Sequence, residues 1–228
     1  IEYGQSISVD NIQAASNLIF DRGSLFRQIL TAGAENAENT DDADDTYEDS
    51  STAEHEVLQK ADHFVEHLTD TKQAGISYQE MIQEANKAVE QIIYTNGSAQ
   101  IDVKAAKALY KGLSLAGNLA REENYEVPMN IRGEITSVNL KIYHNASQTG
   151  KVAITLDTES LGKVAAEFDV TKDRISGMIV YENQAEQAAL AQVEQAVRQE
   201  FGTAGEKQAA ISLVHTRSVD LNKFGQDR

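Results

Sequence analysis

Residues 155–170 read TLDTESLGKVAAEFDV, and residues 173–190 read DRISGMIVYENQAEQAAL. Val164, Ala166, Phe168 and Val170 recur every second residue, as do Ile175, Gly177, Ile179 and Tyr181. A two-residue period places each set on one face of a strand. The spacing predicts a strand ending at Leu156, a short turn over Asp157–Ser160, and Leu161 plugging the core. Gly162 then gives the backbone freedom to enter the next strand. That strand pairs with 174–181 through the polar turn Thr171–Asp173.

The same alternation extends upstream. Val138, Leu140 and Ile142 share one strand face, and Val152, Ile154 and Leu156 share the next, with a polar turn from Asn145 to Gly150 between them. Downstream the period changes. Leu190, Val193, Val197 and Phe201 stand at helical spacing over about 183–201, and Gly202 and Gly205 end that helix. Ile211 and Leu213 mark a last strand. The order β-β-β-β-α-β predicts one sheet with a helix laid on one face. The chain closes on a polar tail, 218–228, with Leu221 and Phe224 as isolated apolar residues.

Ahead of the sheet the pattern is helical. Residues 9–30 read as helix, capped by Asp10, with Ile12, Ala15 and Ile19 on one stripe. Gly23 and Ser24 break and restart it before Leu25, Phe26, Ile29 and Leu30. Residues 33–54 contain no Leu, Ile or Val and a dense run of acids, too little apolar surface to offset ordering entropy. That run reads as a disordered acidic linker. Three helices follow. One covers about 53–69, with Ser51 and Glu54 as a capping box and Val57, Ala61, Phe64 and Leu68 inward. The second covers about 78–95 from Ser77, with Glu80 completing a box, Met81, Ile82, Ala85, Val89, Ile92 and Ile93 inward, and Asn96-Gly97 as its stop. The third covers about 102–121 from Asp102, with Ala106, Leu109, Leu113 and Ala116 inward. Tyr125–Pro128 ends the helical part, because Pro128 disfavours helix at Val127. The expected fold class is therefore α+β. Its parts are a helical segment 1–32, the linker 33–54, a helical domain 55–127, the sheet-plus-helix domain 134–217 and the tail.

Composition bounds the partners. Lys and Arg total 20 against 36 Asp and Glu, for a net charge of −16 over 228 residues. Such a field repels phosphate, so neither nucleic acid nor an anionic membrane surface is an expected partner. The absence of Cys excludes disulfides, thiolate metal sites and thiol nucleophiles. No apolar run reaches the ~20 residues of a membrane-spanning helix, and no signal peptide is visible. The first residue is Ile1 rather than Met, as expected of a processed or trimmed piece of a longer protein.

One string suggests chemistry. His63-Phe-Val-Glu66-His67 has the H-x-x-E-H spacing, in which two His one turn apart share a metal and the Glu serves as base. HFVEHL resembles the inverzincin metalloproteases over six residues, which would imply a zinc hydrolase. The third carboxylate ligand expected well downstream has only Glu122 and Glu123 as candidates, and position 144 is His144. The bland reading is a solvated helix face. There is no G-x-S-x-G elbow, and His144 and His215 sit in or beside strands with no evident orienting partner. No glycine-rich phosphate loop is present. The residues thus predict no catalytic group, no metal and no cofactor.

The opening stretch carries a second resemblance. Leu156, Leu161, Gly162, Val164, Ala166 and Phe168 fall on the pattern L-x-P-x-x-L-G-x-V-x-V-x-L, followed by a hairpin strand and a helix. In this the chain resembles the C-terminal domain of flagellar hook-length control proteins over about residues 135–217. Thr158 stands where that family often has Pro, and Ala166 is smaller than its usual aliphatic. The upstream segment DNIQAA, residues 10–15, is similar to clostridial relatives of that family. The resemblance implies a cytoplasmic protein exported through the flagellar type III apparatus. Its C-terminal domain would contact the cytoplasmic domain of an export-gate membrane protein and switch export from hook to filament substrates, without bond chemistry. Docking of that kind needs an apolar patch beside a sheet edge, and Leu161, Gly162, Val164 and Ala166 are the candidate partner-binding residues. The competing expectation is a structural or interaction protein of unrelated role.

Overall fold

A computed structural model describes residues 25–30, 47–68, 70–95, 103–131, 133–145, 149–158, 162–203 and 208–224. Residues 25–30 are helical, and three longer helices follow: α1 (Tyr47–Glu66), α2 (Thr71–Thr95) and α3 (Val103–Leu119). Strands β1 (Asn124–Ile131), β2 (Glu134–Asn145), β3 (Thr149–Thr158), β4 (Gly162–Val170) and β5 (Arg174–Tyr181) come next, then α4 (Gln187–Thr203) and β6 (Gln208–His215). The strands form one six-stranded sheet in the order β1-β2-β3-β4-β5-β6. The fold is α+β, helices first and strands after. The chain divides into two compact units, residues 1–137 and 138–228.

In the first unit, Leu25, Phe26, Ile29 and Leu30 are buried. Residues 9–24 of the expected first helix lie outside the described residues, as do 33–46 of the expected linker. α1 starts at Tyr47, so 47–54 are helical rather than linker, and the Ser51–Glu54 pair lies inside the helix. Val57, Ala61 and Phe64 are buried as their spacing requires. α2 begins six residues before the expected Ser77. Asp70 caps it, its Oδ1 accepting from the backbone N–H of Lys72 (3.0 Å) and Gln73 (3.2 Å). Ser77 is instead buried within the helix. Met81, Ile82, Ala85 and Val89 face the core, as do Leu113 and Ala116 of α3. Where α3 passes the helix at 25–30, Gly112 packs against the Leu25 side chain, and a Cβ there would stand 2.6 Å from Leu25 Cδ1 and displace that side-chain end.

The largest departure from the sequence reading is β1. Tyr125–Pro128 does not merely end the helices; it is the middle of a strand. Pro128 is tolerated because β1 is an edge strand, where a missing N–H need not cost a ladder bond. Gly133 (φ +86°) serves the β1–β2 turn, and Asn130 Oδ1 accepts from its N–H at 2.8 Å. Phe64, Tyr78 and Tyr125 meet as a buried triangle, ring centroids 4.8–5.2 Å apart. Tyr78 Oη both donates to Glu126 O (3.0 Å) and accepts from Glu126 N–H (3.2 Å), tying α2 to the β1 backbone.

In the second unit, β2 through β5 run antiparallel. β6 returns beside β5 in parallel after α4, as a parallel neighbour requires a crossover. The register aligns Leu156↔Val164↔Tyr181 and Ile154↔Ala166↔Ile179 on one face, and α4 lays Leu190 against it. Gly177 pairs with Phe168, and a Cβ there would collide with the carbonyl of Glu167 and stand 2.9 Å from Phe168 Cα. The β4–β5 turn is closed by Thr171: its N–H and hydroxyl donate to Arg174 O, and its hydroxyl accepts from Arg174 N–H.

Candidate docking surface

Gly162 opens β4 with φ +65°, in the left-handed region. The glycine of the Leu-Gly-x-Val string is thus required by backbone conformation, since a Cβ there would meet only ordinary contacts with Asn183 and Glu182. Leu161 lies outside the described residues. Val164 and Ala166 are 5% and 7% exposed and belong to the cluster of Ile179, Tyr181, Leu190 and Ile211 beneath α4. Neither is on the surface of this fold. Alternation identified their face correctly, but α4 covers it, so a partner cannot reach these two side chains while the domain is intact.

The accessible apolar groups lie on the opposite face. Val180 pairs with Val214, and Met178 sits two residues away on the same face of β5. Met178 is 47% exposed and Val214 42%. No motif pointed to them, because in the sequence they are only the even-numbered partners of the core residues. Val193, read as an inward residue of α4, is also exposed; Leu190, of the same stripe, packs in the sheet's core cluster, and the side chains of Val197 and Phe201 lie outside the described ones.

One end of this sheet is built around Glu182. Its N–H donates to Lys163 O (3.2 Å), and its Oε1 accepts from Val219 N–H (2.6 Å). His215 Nε2 lies 3.1 Å from Glu182 O, and the His215 ring is 5.5 Å from Tyr181. Val219 is buried, so the start of the expected polar tail is anchored, and Leu221–Lys223 form a single 3-10 turn.

His63 is exposed on the last turn of α1, and His67 follows the helix end. Their Nε2 atoms are 3.1 Å apart. Glu66 is exposed beside them. Glu123 sits in a left-handed turn after α3, and Glu122 is exposed. Among the described residues no group of three His, Cys, Asp or Glu could hold a metal ion, so no described residue joins the H-x-x-E-H string as a third ligand. No described helix is long and apolar enough to cross a membrane.

No family model, curated protein or solved structure matches the chain.

Proposed function

We propose that this chain is a non-catalytic protein-binding module of the flagellar hook-length control type. Its sheet domain docks on the cytoplasmic domain of an export-gate component and switches export specificity. What supports the reading is Gly162 at the start of β4. The glycine of the resemblance pattern takes a positive φ, followed by a hairpin and then a helix, in the order the resemblance implies.

Docking uses the outer face of β5 and β6, where Met178 and Val214 offer apolar surface on a rigid frame. The partner-binding role first assigned to Val164 and Ala166 is indirect: they hold the frame. The acidic chain favours a basic partner surface.

The test is titration of the chain with a purified export-gate cytoplasmic domain by calorimetry. The double substitution Met178→Glu and Val214→Glu should weaken binding at least tenfold with the circular dichroism spectrum retained. No binding at ~100 μM would sink the export-switch reading and favour an interaction protein of unrelated role. Binding unchanged by the double substitution would move the contact off this face.

A further inference from the structure

The two outer strands of the sheet are unlike in composition. β1 carries Pro128 and Glu126. β6 reads QAAISLVH, with no Pro and no Asp, Glu, Lys or Arg. A short apolar strand of low charge at a sheet edge readily accepts a further strand.

The direction of its backbone groups follows from one bond. Thr216 N–H donates to Tyr181 O at the end of the β5–β6 ladder. In a parallel pair, alternate residues point both backbone groups at the neighbour, so the even positions of β6 face β5 and the odd positions face away. Ala209 and Ile211 are odd. Both of their carbonyls are taken by one side chain from α4: Arg198 donates Nη1–H to Ala209 O at 3.1 Å and Nη2–H to Ile211 O. Glu194, one turn earlier, fixes the guanidinium, its Oε1 accepting from Arg198 Nε at 2.8 Å and lying 2.7 Å from Nη2. The planar fork of Arg spans two carbonyls on one edge, which an ammonium cannot do.

We infer that the Glu194–Arg198 pair is an edge guard, closing the outer side of β6 against a second copy of this chain. A β6-to-β6 contact across a two-fold axis is the pairing it prevents, because that contact sets no like charges opposite each other within the strands. The net charge of −16 is a second barrier, and it weakens with salt. The inference stands apart from the docking reading, since it concerns the edge and not the outer face.

The experiment is sedimentation velocity of the full chain over a hundredfold concentration range, at low and high salt. Arg198→Ala should lower the concentration for self-association at least tenfold, more clearly at high salt. Glu194→Ala, which loosens the guanidinium without removing it, should give a smaller shift. Ala209→Pro in the Arg198→Ala background removes one outward N–H, keeps every bond to β5, and should restore the wild-type behaviour. Arg198→Ala that retains its circular dichroism and associates no more than wild type overturns the inference. So does association that survives Ala209→Pro, which would place it on another surface.

Discussion

The outer strands β1 and β6 solve one problem in two ways. Each has backbone groups turned away from its single neighbour, and each is closed by one side chain from a helix. At β1 the closing group is Tyr78, fully buried, whose hydroxyl serves both N–H and C=O of Glu126. At β6 it is Arg198, with 42% of its side chain exposed, which serves two carbonyls in reach of water. The first is part of a core and opens only when that core opens. The second can be lost without unfolding anything. The same bonding therefore yields a structural lock at one edge and a removable cover at the other.

Removing the lock should have the largest effect. Tyr78→Phe keeps the aromatic triangle but removes the buried hydroxyl that bonds both Glu126 N–H and Glu126 O, for a cost of about 3 kcal/mol, read by urea unfolding of the first unit. A cost below about 1 kcal/mol would mean that water replaces the hydroxyl. Burial also raises the Tyr78 hydroxyl pKa far above its ordinary 10.0. Tyr125, raised first by burial and then by Glu123, acts in the same direction. Tyrosines in the unfolded chain ionise near pH 10, whereas the buried ones stay neutral. Their contribution is therefore complete below that pH and is lost as pH rises beyond it. Alkaline titration of stability should show this loss, and Tyr78→Phe should reduce it.

The second unit has its own weak point. Gly177→Ala forces a Cβ into the backbone of β4, which cannot give way as a side chain end can. The expected cost is about 2 kcal/mol. Asp70→Ala, which uncaps α2, should cost about 1 kcal/mol. Arg198→Ala should cost less than about 1 kcal/mol in the monomer, because an exposed ion pair contributes little. If it cost as much as Tyr78→Phe, the contrast between lock and cover would fail.

The parts that were legible in the sequence, and the parts that were not, follow from what each side chain touches. β2 to β6 and α4 were readable because one-sided burial imprints a period on the residues, as in Val164, Ala166 and Phe168. β1 left no such imprint: Tyr125, Glu126, Val127 and Pro128 are buried in succession, so alternation is absent, and the proline suggested an end rather than a strand. The start of α2 was hidden because Asp70 caps it before the apolar stripe begins. The burial of two candidate residues, Val164 and Ala166, was hidden for a different reason. Period two gives the face of a strand but not what covers it, and Leu190 of α4 covers Val164 and Ala166. Arg198 was illegible because its role depends on a strand eleven residues away across a connection.

The smallest expected effect concerns the ion pair between α1 and α2. Lys60 Nζ lies 2.9 Å from Glu80 Oε2, both partly exposed. The hydrogen bond from Lys60, and then its charge, hold the Glu80 carboxyl below its ordinary value of 4.5. A depressed carboxyl stabilises the folded state above that value, and the contribution fades as pH falls through the folded pKa. Lys60→Met should therefore cost a little stability at pH 7 and almost none at pH 3, where Glu80 is protonated and the Lys stem is replaced by a similar apolar one, so that the acid limb below about pH 5 flattens. Unfolding measured at pH 3 and pH 7 for both chains gives the difference. An equal loss at both pH values would show that the Lys60 stem, not its charge, is what α1 and α2 share, and that this contact belongs with the buried lock at β1 rather than with the exposed cover at β6.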